Sequence, residues 1–149
     1  MSNGNLKIGA KAPSFNYVFE SGDQISLKDF LGRKVLIYFY PKDNTPGCTL
    51  QACSLRDSKE DFDKLKIEII GISKDSEKSH KNFFSKYNLN FTLIPDPTTE
   101  IISKYGVLNE RGSAKRTSFL IDEKGRIAYI WDKVNTKEHA TEVLNFINS

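Results

Sequence analysis

Cys48 and Cys53 are the only two cysteines of the chain, and they stand in Tyr-Pro-Lys-Asp-Asn-Thr-Pro-Gly-Cys-Thr-Leu-Gln-Ala-Cys-Ser-Leu-Arg-Asp, residues 40–57. A strand-like run precedes them and a helix begins around them. Free backbone N–H groups and the positive end of a helix dipole favour a thiolate at such a place. Cys48 therefore reads as a nucleophile, and Cys53 as the thiol that resolves its oxidation product. The four intervening residues exclude the two-residue spacing of thioredoxin-type redox motifs and of many zinc knuckles.

The elements that must position these thiols are legible from pattern. Residues 34–40, Lys-Val-Leu-Ile-Tyr-Phe-Tyr, form a continuous apolar, β-branched and aromatic run, as expected of a central strand buried on both faces. Pro41 ends it. Thr45 followed by Pro46 makes an N-cap and first-turn pair, predicting a helix over 46–64. Residues 67–73 read as the next strand. Residues 77–87 read as a helix whose buried face carries Phe83, Phe84 and Tyr87. A short strand over 91–94 is closed by Pro95-Asp-Pro97, and a short helix over 98–105 stops at Gly106. Strands over 117–122 and 126–132 flank Glu123-Lys124-Gly125 as a hairpin. Thr136 is expected to cap a final helix with Ala140, Val143, Leu144 and Ile147 on one stripe. Residues 15–19 and 24–27 suggest a small hairpin across Ser21-Gly22-Asp23. Strands alternating with helices give an α/β fold with a mixed central sheet covered on both sides and an N-terminal β-hairpin. A βαβ half followed by a ββα half is the thioredoxin-like layout.

Bulk properties set limits. A chain of 149 residues is expected to form a single domain, 1–149, large enough to bury a core without staples. The 22 basic and 19 acidic residues leave a net charge of +3, too balanced to indicate nucleic acid, and no basic cluster interleaves with aromatics. No apolar run reaches membrane-span length. The first residues lack the apolar core of a signal peptide, so the cytosol is the expected compartment. In the cytosol a cysteine pair is more often catalytic than structural.

With these residues placed, the chain resembles the peroxiredoxins, and more narrowly the bacterioferritin comigratory protein or peroxiredoxin Q subfamily. The resemblance rests on Pro41, Thr45 and Cys48 in the family's Pro-x-x-x-Thr-x-x-Cys signature, on Cys53 five positions later, and on Arg116 in Lys-Arg-Thr-Ser-Phe-Leu-Ile-Asp. It runs from Gly9-Ala-Lys-Ala-Pro13-Ser-Phe through the terminal helix. The segment 107–116 is shorter than in many relatives, which makes Arg111 a rival to Arg116. Arg116 is preferred because it leads into a strand, whereas Arg111 precedes Gly112-Ser113 and reads as a turn residue.

The resemblance implies a thiol-dependent peroxidase acting on hydrogen peroxide and organic hydroperoxides without a cofactor or metal. Cys48 would attack the peroxide and become a sulfenic acid, and Cys53 would condense with it to a disulfide. Arg116, always charged, would bind the peroxide oxygens. Thr45 would align the substrate and Pro41 would wall the site. Thioredoxin, with glutaredoxin as the alternative, would be the reductant, and a monomer is the expected state. Geometry adds a condition. Five residues along an α-helix separate two Cα atoms by roughly 8.6 Å, whereas a disulfide tolerates no more than about 7 Å. Both cysteines cannot bond while both remain helical.

Blander roles compete at each position. Thr45 alone is usually a cap, Pro41 a strand terminator and Arg116 a surface charge. His80 is expected at the edge of a half-buried helix face and His139 in solvent, neither of them catalytic. A metal site is disfavoured because neither histidine is near the cysteines in sequence and zinc sites usually need four ligands. Trp131 and Tyr38-Phe39-Tyr40 read as packing residues. A general thiol–disulfide oxidoreductase and a copper-handling or redox-sensing module are the alternatives. Cysteine spacing argues against both enzymatic disulfide exchange and copper delivery.

Overall fold

The computed structural model describes residues 6–148. Two strands, β1 (Asn16–Val18) and β2 (Gln24–Ser26), form the expected antiparallel hairpin. Next come β3 (Lys34–Phe39), α1 (Pro46–Asp57), α2 (Lys59–Lys64), β4 (Ile67–Ser73), α3 (Glu77–Lys86), β5 (Thr92–Pro95) and α4 (Glu100–Lys104). The chain closes with β6 (Thr117–Ile121), β7 (Ile127–Trp131) and α5 (His139–Asn148). The main sheet has the order β5-β4-β3-β6-β7. β3 runs parallel to β4, and β4 to β5; β6 is antiparallel to both β3 and β7.

Strand β3 is central because both of its faces are apolar. Val35, Ile37 and Phe39 enter one core cluster with Phe119, Ile121, Ile101 and Ile102. Leu36, Tyr38 and Tyr40 enter the other with Ala52, Leu55, Phe62, Phe83 and Val143. The period of two along the strand divides the core into these two layers. Helices α1, α2, α3 and α5 thus contribute to one cluster and α4 to the other, giving the mixed sheet covered on both sides that the alternation of elements predicts.

Several local expectations are corrected. The helix predicted over 46–64 is two helices, broken at Ser58 (φ −100°, ψ 6°); Asp57 and Ser58 are weak helix formers whose side chains compete for backbone groups. Pro95 lies inside β5, opposite Ser73, which is permitted because β5 is an edge strand. Phe83 is buried, but Phe84 is 41% exposed and does not share its face. Thr136 does not cap α5. It begins a turn whose Lys137 and Glu138 N–H groups donate to Asn135 Oδ1, both at 3.2 Å. Ala140 and Val143 are buried and Leu144 and Ile147 pack against the same core. Among the described residues no helix is long and apolar enough to cross a membrane.

Register decides what meets at the end of the sheet. Phe39, the last residue of β3, pairs with Thr117, the first of β6. Antiparallel pairing therefore brings the residue before β6, Arg116, beside the loop that leaves β3 toward α1.

Candidate active site

Cys48 is the third residue of α1, after Pro46 and Gly47. Its residue surface is only 1% exposed, and its thiol is free. Arg116 reaches it: Nη2 donates to Cys48 Sγ at 3.3 Å, and Nη1 of the same guanidinium donates to Gln51 Oε1 at 2.8 Å. One planar fork thus spans two positions a single helical turn apart. The approach is close at Gly47, where a Cβ would lie 3.0 Å from Arg116 Nη2 and 3.7 Å from Thr136 Cγ2.

The other expected site residues lie on the loop before α1 and on α1 itself. Thr45 holds the N-cap position with extended backbone (φ −83°, ψ 152°), but its hydroxyl does not cap α1; it donates to the Lys42 carbonyl at 2.9 Å. Asn44 before it adopts left-handed backbone (φ 63°), which Asn tolerates better than most residues. Pro41 lines an open cavity of about 600 Å³ with Lys42, Asn109, Glu110, Arg111, Ser113 and Lys115. Arg111 belongs to this rim, its backbone N–H donating to Asn109 Oδ1, and it makes no hydrogen bond to Cys48. Cys53 is a half-buried free thiol on the same helix as Cys48.

Two residues near the centre have roles that a reading of the sequence does not reach. Gln51 is fully buried; its position one turn after Cys48 was the available signal. The Gln51 amide nitrogen and the Tyr38 hydroxyl are buried without a hydrogen-bond partner among the described residues. Burial, reinforced by the charges of Cys48 and Asp43, holds the Tyr38 phenol well above the usual tyrosine range.

Both histidines depart from expectation. His139 is buried, not solvated. Its Nδ1–H donates to Glu142 Oε1 at 3.2 Å, and Ser118 Oγ donates to Nε2 at 2.8 Å. Burial pushes its pKa below the ordinary histidine value, with the Arg116 charge adding to the effect and Glu142 opposing it. A neutral ring fits this donor and acceptor pattern and ties α5 to β6 beside Arg116. His80 is 3% exposed. Its Nδ1 lies 2.8 Å from Asp43 Oδ2 and its Nε2 3.2 Å from the Ile94 carbonyl. A half-buried helix edge was expected at that position; the carboxylate partner, 37 residues earlier, allows the ring to be buried.

A buried thiol held against a fixed cation at a helix start is suited to nucleophilic attack on a polar substrate that the guanidinium also binds. Comparison with known proteins agrees. The AhpC/TSA family profile matches residues 8–130. Peroxiredoxin Bcp of Escherichia coli is 40% identical over 149 residues, covering 95% of this chain and 96% of its own. The crystal structure of a Xylella fastidiosa PrxQ mutant superposes with a TM-score of 0.90 at 28% identity, covering 97% of this chain and 96% of that one. That of the Xanthomonas campestris bacterioferritin comigratory protein gives 0.82 at 30% identity, covering 99% and 98%. The thioredoxin-like arrangement expected from the element order is the fold these proteins share. The chain therefore belongs to the AhpC/TSA family and, within it, to the Bcp or PrxQ peroxiredoxins, which are thiol-dependent peroxidases.

Proposed function

We propose that Cys48 is the peroxidatic thiol of this peroxidase and Cys53 its resolving thiol. The Cys48 thiolate attacks one peroxide oxygen, the O–O bond breaks, and the second oxygen leaves as water or alcohol after taking a proton. Cys48 is then a sulfenic acid. The Cys53 sulfur attacks the Cys48 sulfur, water leaves, and a Cys48–Cys53 disulfide forms. An external dithiol, thioredoxin or glutaredoxin, returns both thiols by exchange. The observation that carries this reading is the Arg116 fork on Cys48 Sγ and Gln51 Oε1. As peroxide binds, the guanidinium is placed to donate to the oxygens as charge develops on them. Thr45 and Pro41 shape the approach from the loop before α1.

The Xanthomonas campestris relative was solved for its alkyl peroxide reduction activity, and organic hydroperoxides are proposed as substrates here beside hydrogen peroxide. Cys48 and Cys53 both lie within the continuous helix α1. At about 8.6 Å between Cα atoms by helix geometry, that helix must open at its start in each cycle before the disulfide can close. We read residues 1–149 as one domain that acts as a monomer in the cytosol.

The test is NADPH consumption with thioredoxin, thioredoxin reductase and hydrogen peroxide. The wild type is expected to turn over and Cys48→Ser to be inactive. Cys53→Ser should consume one equivalent of peroxide and then stall. Full activity in Cys48→Ser, or a wild type inert with every thiol donor, rules the assignment out.

A further inference from the structure

The loop between Pro41 and Thr45 carries two of the proposed site residues and launches a third. Its anchor is Asp43, which is 4% exposed. The Asp43 carboxylate is met by three side chains from two parts of the fold. Tyr40 OH, at the end of the β3 run, donates to Oδ1 at 2.6 Å. Ser79 Oγ, on α3, donates to Oδ2 at 2.7 Å. His80 Nδ1, also on α3, lies 2.8 Å from the same oxygen. The backbone N–H of Asp43 is held in turn by Asp75 Oδ2 at 2.8 Å, and that oxygen also accepts from Ser73 Oγ at 2.7 Å.

His80 is a buried member of this network. Its second nitrogen faces the Ile94 carbonyl at 3.2 Å. Each ring nitrogen thus faces an oxygen acceptor, Nδ1 the Asp43 carboxylate and Nε2 the carbonyl. Burial alone would raise the Asp43 carboxyl, but the bonds from His80, Tyr40 and Ser79 outweigh it and hold it below the usual carboxylate range. Asp43, Asp75 and His80 lie close enough together to suggest a cation cage. However, both Asp43 oxygens and Asp75 Oδ2 are already taken up by hydrogen bonds within the chain, which is the pattern of an anchor.

We infer that His80 is a positioning residue of the peroxidase site: through its buried pair with Asp43 it fixes the 41–45 loop, and with it Pro41, Thr45 and the start of α1, against helix α3. The inference rests on the peroxidase reading above. His80 touches neither Cys48 nor Arg116 by any hydrogen bond. It acts through Asp43, which is flanked by Lys42, whose carbonyl receives the Thr45 hydroxyl, and by Asn44 with its left-handed backbone. Removing the ring leaves a buried carboxylate short of a donor and frees the turn that orients Thr45.

Stopped-flow kinetics of reduced enzyme with hydrogen peroxide separates the two steps: the second-order oxidation of Cys48 and the first-order closure of the disulfide. His80→Phe is expected to slow the first step about tenfold or more, because small misplacements of aligning groups are costly, without slowing the second. His80→Gln, which keeps one amide donor for Asp43, should recover part of the loss. Hydrogen exchange on the reduced protein should show faster exchange of the 42–49 amides in His80→Phe, with the β3 and β6 amides unchanged. A lowered melting temperature with an unchanged oxidation rate constant makes His80 a structural residue only and overturns the inference. So does a His80→Gln variant no faster than His80→Phe, or unaltered exchange at 42–49. Should His80→Phe fail to fold, Asp43→Asn preserves volume while removing the carboxylate, and an unchanged oxidation rate in it overturns the proposal equally. A wild type that does not react with peroxide defeats the peroxidase reading, and the exchange comparison alone then decides whether His80 holds the loop.

Discussion

At the scale of single residues, the site depends on how closely a guanidinium can approach a helix start. Arg116 lies over Gly47 because no side chain intervenes; the added Cβ of an alanine would come within 3.0 Å of Nη2. Gly47→Ala separates stability from chemistry. Alanine is the better helix former, so thermal stability should hold or rise slightly. The fork must shift by a few tenths of an ångström away from Cys48 Sγ and Gln51 Oε1, and the rate constant for peroxide should fall roughly three- to tenfold. Stopped-flow oxidation alongside a melting curve reads both effects. An unchanged rate constant means that Arg116 tolerates displacement and that its donation to Sγ is not limiting. Gln51 has a related part. Its carbonyl oxygen holds one arm of Arg116, and a leucine of similar size would leave that arm without its buried acceptor.

At the scale of elements, the sheet is tightest where β3, β4 and β5 cross the second core cluster. Gly71 on β4 sits opposite Tyr38 on β3 and Leu93 on β5. A Cβ at Gly71 would meet Tyr38 Cζ at 2.8 Å and Leu93 Cδ2 at 2.9 Å. The Tyr38 contact is not the loose end of a flexible chain, since that ring stacks on Tyr40 at 5.4 Å and meets Phe91 edge-on at 6.0 Å. Gly71→Ala is therefore expected to destabilise the fold by about 1–3 kcal/mol, measured as a shift in the urea midpoint without a change in slope. A neutral result indicates that Tyr38, whose hydroxyl has no hydrogen-bond partner to lose among the described residues, repacks freely. Helix α1 poses a different problem. Its first turn positions Cys48, yet under the proposed mechanism it must open for Cys53 to reach that sulfur. The break at Ser58 separates α1 from α2, whose Phe62 is buried in the core.

At the scale of the whole molecule, acid sensitivity follows from buried titratable groups. The His139 pKa is lowered in the folded state, chiefly by burial. An unfolded chain titrates that ring near about 6.5. As pH falls through that value, the unfolded state takes up the proton first, so stability declines below it and continues to decline until the folded ring is protonated. Asp43 acts lower on the scale. Its folded pKa is depressed, so its contribution is complete above the unfolded value of about 3.9 and is lost as pH falls through the folded one. Asp96 works in the opposite sense, since burial raises it. Urea unfolding at pH 7, 6 and 5 should show falling stability in the wild type and a flatter dependence in His139→Gln. Equal slopes in the two proteins assign the acid sensitivity elsewhere.

The chemistry was legible in the sequence because it is local. Cys48 and Cys53 sit five positions apart after an apolar run and a Pro-bearing helix start, and backbone physics alone makes such a place suitable for a reactive thiol. The strands and helices were legible for the same reason: periods of two and 3.6 record which side of each element meets a core. The misreadings have one physical origin. His80, His139, Phe84 and the cap of α5 were judged from neighbours in sequence, whereas their burial depends on partners from other elements. Asp43 lies 37 residues from His80 and Ser118 lies 21 residues from His139. Sequence pattern favoured Arg116 over Arg111, but only the antiparallel register of β6 on β3 set it beside Cys48 and Gln51. The chain thus determined by itself which residues could react and which elements would carry them. Tertiary structure decided which charge meets the thiol and which buried pair holds its loop, because such pairings depend on distances between elements that no spacing along the chain records.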